Sequence, residues 1–373
     1  MNLYFNQIIK NISNPKIFVF IIIWLMILVV FGTIEQKDIG LFAAQEKYFF
    51  SIIIWFYNLP LPGGLLTMSM LFINLCAFLF KPNIWVKNKL GIITIHMGVL
   101  ILLMGAGITN LFSKEGNMVI IENDQSNYMH SFYYKEFTIM NLDEYQDSIE
   151  VINFNQESLY PGNILSYHKI PFEIEIIKYY VNSKIDKRID DNFMPLRGEA
   201  INFELKEKIP EKEINENISG IMYKIISDVE SINGYYIYQL EKQKPEIITI
   251  NNQDYALLLR PERTYLPFEI QLVDFKKIMH PGTKIAKSFS SEVYLVENEK
   301  SRRVLIEMNA PLRHKGYTLY QASYAELDNG KEATVLAVVK NSGRLFPYIS
   351  SIIMCIGVLL QMIFRIPRLL KND

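Results

Sequence analysis

Uncharged apolar runs and stretches of alternating apolar and polar residues occupy different parts of this chain. Ile17–Ile34, Leu90–Phe112 and Leu345–Phe364 carry no charge. Tyr48–Phe80 is also uncharged, but Pro60, Pro62, Gly63 and Gly64 interrupt it. A helix needs about 20 apolar residues to cross a hydrocarbon core of roughly 30 Å. The pattern therefore predicts four transmembrane α-helices, at about 17–34, 65–80, 90–112 and 345–364. The first follows Lys10 and Lys16 but ends without a small-x-small cleavage site, so it reads as a retained span rather than a signal peptide. Tyr48–Leu59 is short and stopped by proline, which suits an interfacial or re-entrant helix at about 48–59. The alternative is the first half of a kinked span continuing into 65–80.

Between Ser113 and Arg344 the period changes to two. Ser288–Glu297, Arg303–Met308 and Thr334–Val339 alternate apolar with polar residues and are rich in Val, Ile, Tyr and Phe, as half-buried strands are. Two motifs recur in order. Ile170-Pro-Phe-Glu-Ile-Glu-Ile176 returns as Leu266-Pro-Phe-Glu-Ile-Gln-Leu272, and Gly234-Tyr-Tyr-Ile-Tyr-Gln239 returns as Gly316-Tyr-Thr-Leu-Tyr-Gln321. The expected architecture is a membrane protein with four transmembrane helices and a large, mainly antiparallel β domain over 113–344. Two tandem modules are expected within it, at about 165–250 and 262–340, each a small sandwich, and residues 365–373 form a tail.

Charge then sets an orientation. Lys10 and Lys16 precede the first span, Lys81, Lys87 and Lys89 separate the second from the third, and Arg365, Arg368 and Lys371 follow the fourth. Four spans put these segments on one side, the cytoplasm by the positive-inside rule. The large domain is then extracytoplasmic. With +6 on the other segments and -1 overall, it carries -7. With 38 Lys+Arg against 39 Asp+Glu there is no cationic surplus for nucleic-acid binding. Cys76 and Cys355 form no C-x-x-C and no disulfide framework; both read as small buried apolar residues.

Candidate chemistry is sparse. No P-loop, G-x-S-x-G or G-x-G-x-x-G is present. Of five histidines, His130, His168, His280 and His314 lie in the β domain without metal-ligand spacing. His96 lies inside the third predicted span, about 9 Å in from its start at 1.5 Å per residue. A titratable group in a bilayer is costly unless it faces protein, water or a ligand. Gly91, Gly98 and Gly105 repeat every seven residues and make a small-residue seam for helix packing, with His96 about 160° round the helix from Gly98. Two readings stay open for His96: a hydrogen bond to a neighbouring span, or axial ligation of haem iron.

Several motifs resemble the ResB/CcsB family of the System II pathway of cytochrome c maturation. They are Gly32-Thr-Ile-Glu-Gln36, Leu61-Pro-Gly-Gly64 with Leu71-Phe-Ile-Asn-Leu75, and His96-Met-Gly-Val-Leu100 with Gly105-Ala-Gly-Ile-Thr109. In the β domain the run from Asp274-Phe275 through Pro281-Gly-Thr283, Ser291-Glu-Val293 and Met308-Asn-Ala-Pro-Leu312 to Gly316–Tyr324 is similar to the family's C-terminal signature. The resemblance implies a non-autonomous subunit of a haem–cytochrome c synthase in the bacterial cytoplasmic membrane, with cytoplasmic termini. It would help to move haem b outward and attach it to apocytochrome c through the thiols of C-x-x-C-H. It also implies that His96 is a haem ligand. The partner implied is a CcsA/ResC-type membrane protein with a tryptophan-rich external segment. Only Trp24, Trp55 and Trp85 occur here, so that partner is expected in trans. A structural scaffold that never touches haem and a membrane-anchored binding protein are the competing readings.

Overall fold

Residues 3–81, 84–142, 150–189, 194–240, 242, 244–283, 286–298, 300–327 and 330–369 are described in the computed structural model of the chain. They divide into a helical unit, Met1–Lys114 with Lys340–Asp373, and a β unit, Glu115–Val339.

In the helical unit α1 (Leu3–Ile12) breaks at Ser13-Asn14, and α2 (Pro15–Ile39) starts afresh. Asn14 accepts the N–H of Lys16 at 3.0 Å, and Pro15 occupies the first turn, where its missing N–H costs nothing. Gly40, with φ 84, ends the helix. A short α3 (Leu41–Gln45) and a π-turn at Glu46–Phe50 follow. Beyond the strands described next come α4 (Gly64–Leu79), α5 (Leu90–Phe112) and α6 (Phe346–Leu369). Three helical stretches are long and apolar enough to cross a membrane: Asn6–Ile39, Lys87–Phe112 and Phe346–Arg365. The remaining one, α4, has 16 residues, about 24 Å of helix.

The predicted helix at 48–59 does not form. Its residues make the end of the π-turn and a hairpin of β1 (Ile53–Phe56) with β2 (Leu59–Pro62), turned at Tyr57, whose φ is 53. The prolines decide this. Gly63 N–H donates to Ile52 C=O at 2.8 Å, so Ile54–Leu61 and Phe56–Leu59 are the hydrogen-bonded pairs. Pro60 and Pro62 thus fall at outward positions, where no ladder donor is needed.

This segment doubles back along α2. Lys47 and Tyr48 pair with Glu35, Phe49 lies against Gly32, and the Trp24 indole donates to Pro62 C=O at 2.9 Å. Further on, Asn74 Nδ2 donates to Ile12 C=O at 2.5 Å, closing the α1–α2 break. The hairpin base therefore lies level with Trp24, in the middle of the uncharged run, and α4 continues from there towards the start of α2. The uncharged stretch 48–80 is a broken element, half hairpin and half helix.

The β unit contains β3 (Lys114–Ile121), β4 (Gln125–Asn141), β5 (Glu150–Asn155), β6 (Ile164–Leu165), β7 (Phe172–Tyr180), β8 (Ser183–Lys187), β9 (Phe203–Glu207) and β10 (Gly220–Ser227). It continues with β11 (Gly234–Gln239), β12 (Glu246–Ile250), β13 (Gln253–Met279), β14 (Ala286–Glu297), β15 (Lys300–Glu307), β16 (Leu312–His314), β17 (Tyr317–Glu326) and β18 (Glu332–Lys340). A ten-stranded sheet runs β15-β14-β13-β4-β3-β18-β17-β16, with β12 on β13 and β5 on β4. A four-stranded sheet runs β11-β10-β7-β6, and β8 pairs with β9. The paired strands are antiparallel.

Two cores result. In the first, Ile174 and Ile176 of β7, Tyr223 of β10 and Tyr236 of β11 pack on Phe137 of β4 and Tyr255 and Leu257 of β13. In the second, the ten-stranded sheet rolls so that Ile270 and Val293 from one end meet Leu319 and Leu336 from the other.

This corrects the reading of two tandem modules. The first motif keeps its facing in both copies: Phe172, Ile174 and Ile176 enter one core, and Phe268, Ile270 and Leu272 the other. The second motif changes face. Tyr236 and Tyr238 enter the first core, whereas Tyr317 and Leu319, at the neighbouring positions of the motif, enter the second. A one-residue change of parity exchanges all inward and outward side chains. Both cores also draw on β4, upstream of either predicted module, and on β13, which runs through the gap between them. Their ladder is interrupted between Pro261 and Arg263 and between Tyr265 and Ile270, where the ribbon passes from one core to the other.

Candidate functional site: the histidine of helix α5

Helix α5 holds the predicted site residues on two sides. α6 runs antiparallel along Gly91, Gly98 and Gly105. A Cβ on Gly91 would lie 2.5 Å from the Gln361 backbone N, and one on Gly98 would lie 2.5 Å from Met354 Cγ. A Cβ on Gly105 would collide with Phe346. α6 answers with its own glycine, since a Cβ on Gly357 would sit 2.7 Å from Ile95 N. Thr109 Oγ1 donates to Asn341 Oδ1 at 3.1 Å and ties the far end of α5 to the segment before α6. The pair approaches so closely only because glycine carries no side chain.

His96 lies on the side towards α4. Its ring stacks on Phe78, with centroids 4.4 Å apart and planes inclined by 24°. Nδ1 lies 2.8 Å from the carbonyl of Ile92, one turn back. A carbonyl only accepts, so Nδ1 carries the proton. The lone pair of the neutral ring is then on Nε2, which has no hydrogen bond among the described residues. The ring is half-buried. A backbone hydrogen bond on one nitrogen and an open second nitrogen is how ligating histidines are held. The arrangement leaves Nε2 available to a ligand, with Phe78 holding the plane of the ring. Phe78 escaped the sequence reading: it is 18 residues away on another helix, and no local spacing marks it.

The β-unit histidines are differently placed. His314 Nε2 is 2.7 Å from Glu297, whose carboxyl Lys315 and then His314 hold below the usual range. His168 is exposed beside Tyr167 and lines an open pocket of about 810 Å³ with Glu173 and Asp228. His280 is exposed in the turn after β13. His130 is pushed down to about 4, chiefly by burial and then by Arg263, whose guanidinium lies 4.3 Å over the Tyr128 ring. Near it the buried Arg260–Glu136 pair, at 2.8 Å, joins β13 to β4, and Arg260 also reaches Asn153 at 3.1 Å. Among the described residues, no three His, Cys, Asp or Glu gather into a metal-holding group.

A bundle of membrane-crossing length, with a long antiparallel β unit inserted between α5 and α6, defines a membrane protein carrying a large β domain. Residues 231–331 match the model of the ResB-like family. Protein NrfI of Wolinella succinogenes is 23% identical over 299 residues, which are 78% of this chain and 29% of that protein. Over residues 231–331 the chain is similar to the ResB-like family. It spans less than a third of the length of the relative it matches. The matched segment runs from before β11 into the turn after β17 and contains the Asp274–Tyr324 motifs, whereas His96 lies outside it.

Proposed function

We propose that this chain is a component of System II cytochrome c maturation. It would help to bring haem b across the bacterial cytoplasmic membrane and attach it to apocytochrome c, together with a CcsA/ResC-type membrane protein. The ResB-like match supports the pathway. The basic segments at Lys10–Lys16 and Lys81–Lys89 support cytoplasmic termini and an extracytoplasmic β unit.

The observation that carries the reading is the contact between His96 Nδ1 and the Ile92 carbonyl. With Nδ1 donating to Ile92, the Nε2 lone pair is free to bind iron from within the helical unit. The second axial ligand would come from the partner, because the other four histidines lie in the β unit. The acidic β unit would hold the apocytochrome near the outer face.

The test is the complex purified with its partner. His96→Ala should lower co-purified haem by about tenfold or more, with added imidazole restoring the absorption band. Unchanged haem content would favour the scaffold reading, for which the Phe78 stack alone is sufficient reason for the histidine.

A further inference from the structure

The β1–β2 hairpin places non-helical backbone where a bilayer does not accept it unprotected. Its base is level with Trp24, eight residues into the uncharged eighteen of Ile17–Ile34. In hydrocarbon every N–H and C=O needs a partner, and extended backbone survives there only when covered by protein or lining an aqueous cavity.

The two edges of the hairpin solve this differently. On β2 the outward positions are Pro60 and Pro62, which have no donor, and the Pro62 carbonyl is taken by the Trp24 indole. On β1 the outward positions are Ile53 and Trp55, opposite those prolines. Their N–H and C=O groups point away from β2, and among the described residues nothing bonds to them. The side chains beside this edge are bare as well: Trp55 is 65% exposed, Phe56 54% and Tyr57 91%. Among the described residues the β2 edge is left with the Pro60 carbonyl alone, whereas the β1 edge is left with two N–H and two C=O groups.

Lipid tails offer no hydrogen bond to the open edge, whereas a polypeptide does. The relative supplies a second argument: there the matched region is 29% of a longer chain, so it is joined to much additional polypeptide. We infer that the β1 edge, with Trp55 at its centre, is the docking surface for the partner membrane protein. The partner would present hydrogen-bonding groups to Ile53 and Trp55 at mid-membrane depth and an apolar surface to the aromatic tip. This rests on the proposed partnership and adds its place on the chain.

The test uses full-length protein co-expressed with a CcsA/ResC-type partner, carrying a photo-crosslinking phenylalanine analogue at Trp55 or, as a control on exposed α2, at Phe20. Trp55 should give an adduct with the partner and Phe20 should not. Trp55→Ala should reduce co-purified partner by about tenfold, with unaltered amounts of the chain itself in the membrane. Adducts with lipid only, with a second copy of this chain, or equally from both positions would overturn the inference while leaving the partnership intact. If the unaltered chain fails to co-purify with the partner, the parent reading falls, and this one with it.

Discussion

On one side of α5, three glycines let α6 approach until backbone meets backbone; on the other, an imidazole lies against one phenyl ring and keeps a nitrogen unoccupied. The first interface leaves no room, so its residues are explained by packing. The second contains a polar group that packing does not need, and an unused lone pair in a half-buried position is what a ligand site requires. Close fit is evidence of stability, and incomplete satisfaction is evidence of function.

The contrast is open to direct attack. Gly98→Leu should have the largest effect, because the new side chain meets Met354 and the Ser350 carbonyl, which is backbone and cannot turn aside. A loss of about 3 kcal/mol or more is expected, with α6 displaced, measured as unfolding in detergent. If Gly98→Leu leaves stability unchanged, the seam is not what holds the two helices.

His130 sharpens the comparison, being a histidine enclosed rather than offered. Burial keeps it neutral, with a pKa of about 4 against 6.5 for a free histidine. The unfolded chain therefore binds more protons than the folded chain across that window, and stability should fall as pH drops from about 6.5 towards about 4. The effect should be on the order of 2 kcal/mol, and His130→Gln should reduce the slope. An unaltered slope in that variant would assign the acid sensitivity to other groups.

The smallest expected effect on stability belongs to Phe78→Leu, about 1 kcal/mol. In the haem-loaded complex it should nevertheless shift the absorption band, since it frees the ring to rotate about its link to Ile92. A spectrum identical to that of the unaltered protein would show that Phe78 does not orient the imidazole.

Much of this was legible in the residue pattern. Uncharged runs of about twenty residues mark the long helices, and the seven-residue glycine spacing marks one side of α5. The stretch 48–62 was not, because a short apolar run reads equally well as helix or strand. The alternate prolines at 60 and 62 were the available signal, being the spacing of one strand edge. The repeated tyrosine motifs were visible as strands, but which face of each strand enters a core depends on register, and register is set by partners far along the chain. The same limit applies to His96: its depth could be read from its span, but the stacking on Phe78 is tertiary.

Strands β4 and β13 run through both cores of the β unit, linked beside the first break in their ladder by Arg260 and Glu136. Every side chain of the first core lies between Phe137 and Leu259 and those of the second lie before and after it, so two unbroken strands are what join the lobes. Heating should melt them together, in one transition rather than two, and a disturbance at either end has a covalent rod along which to reach the other.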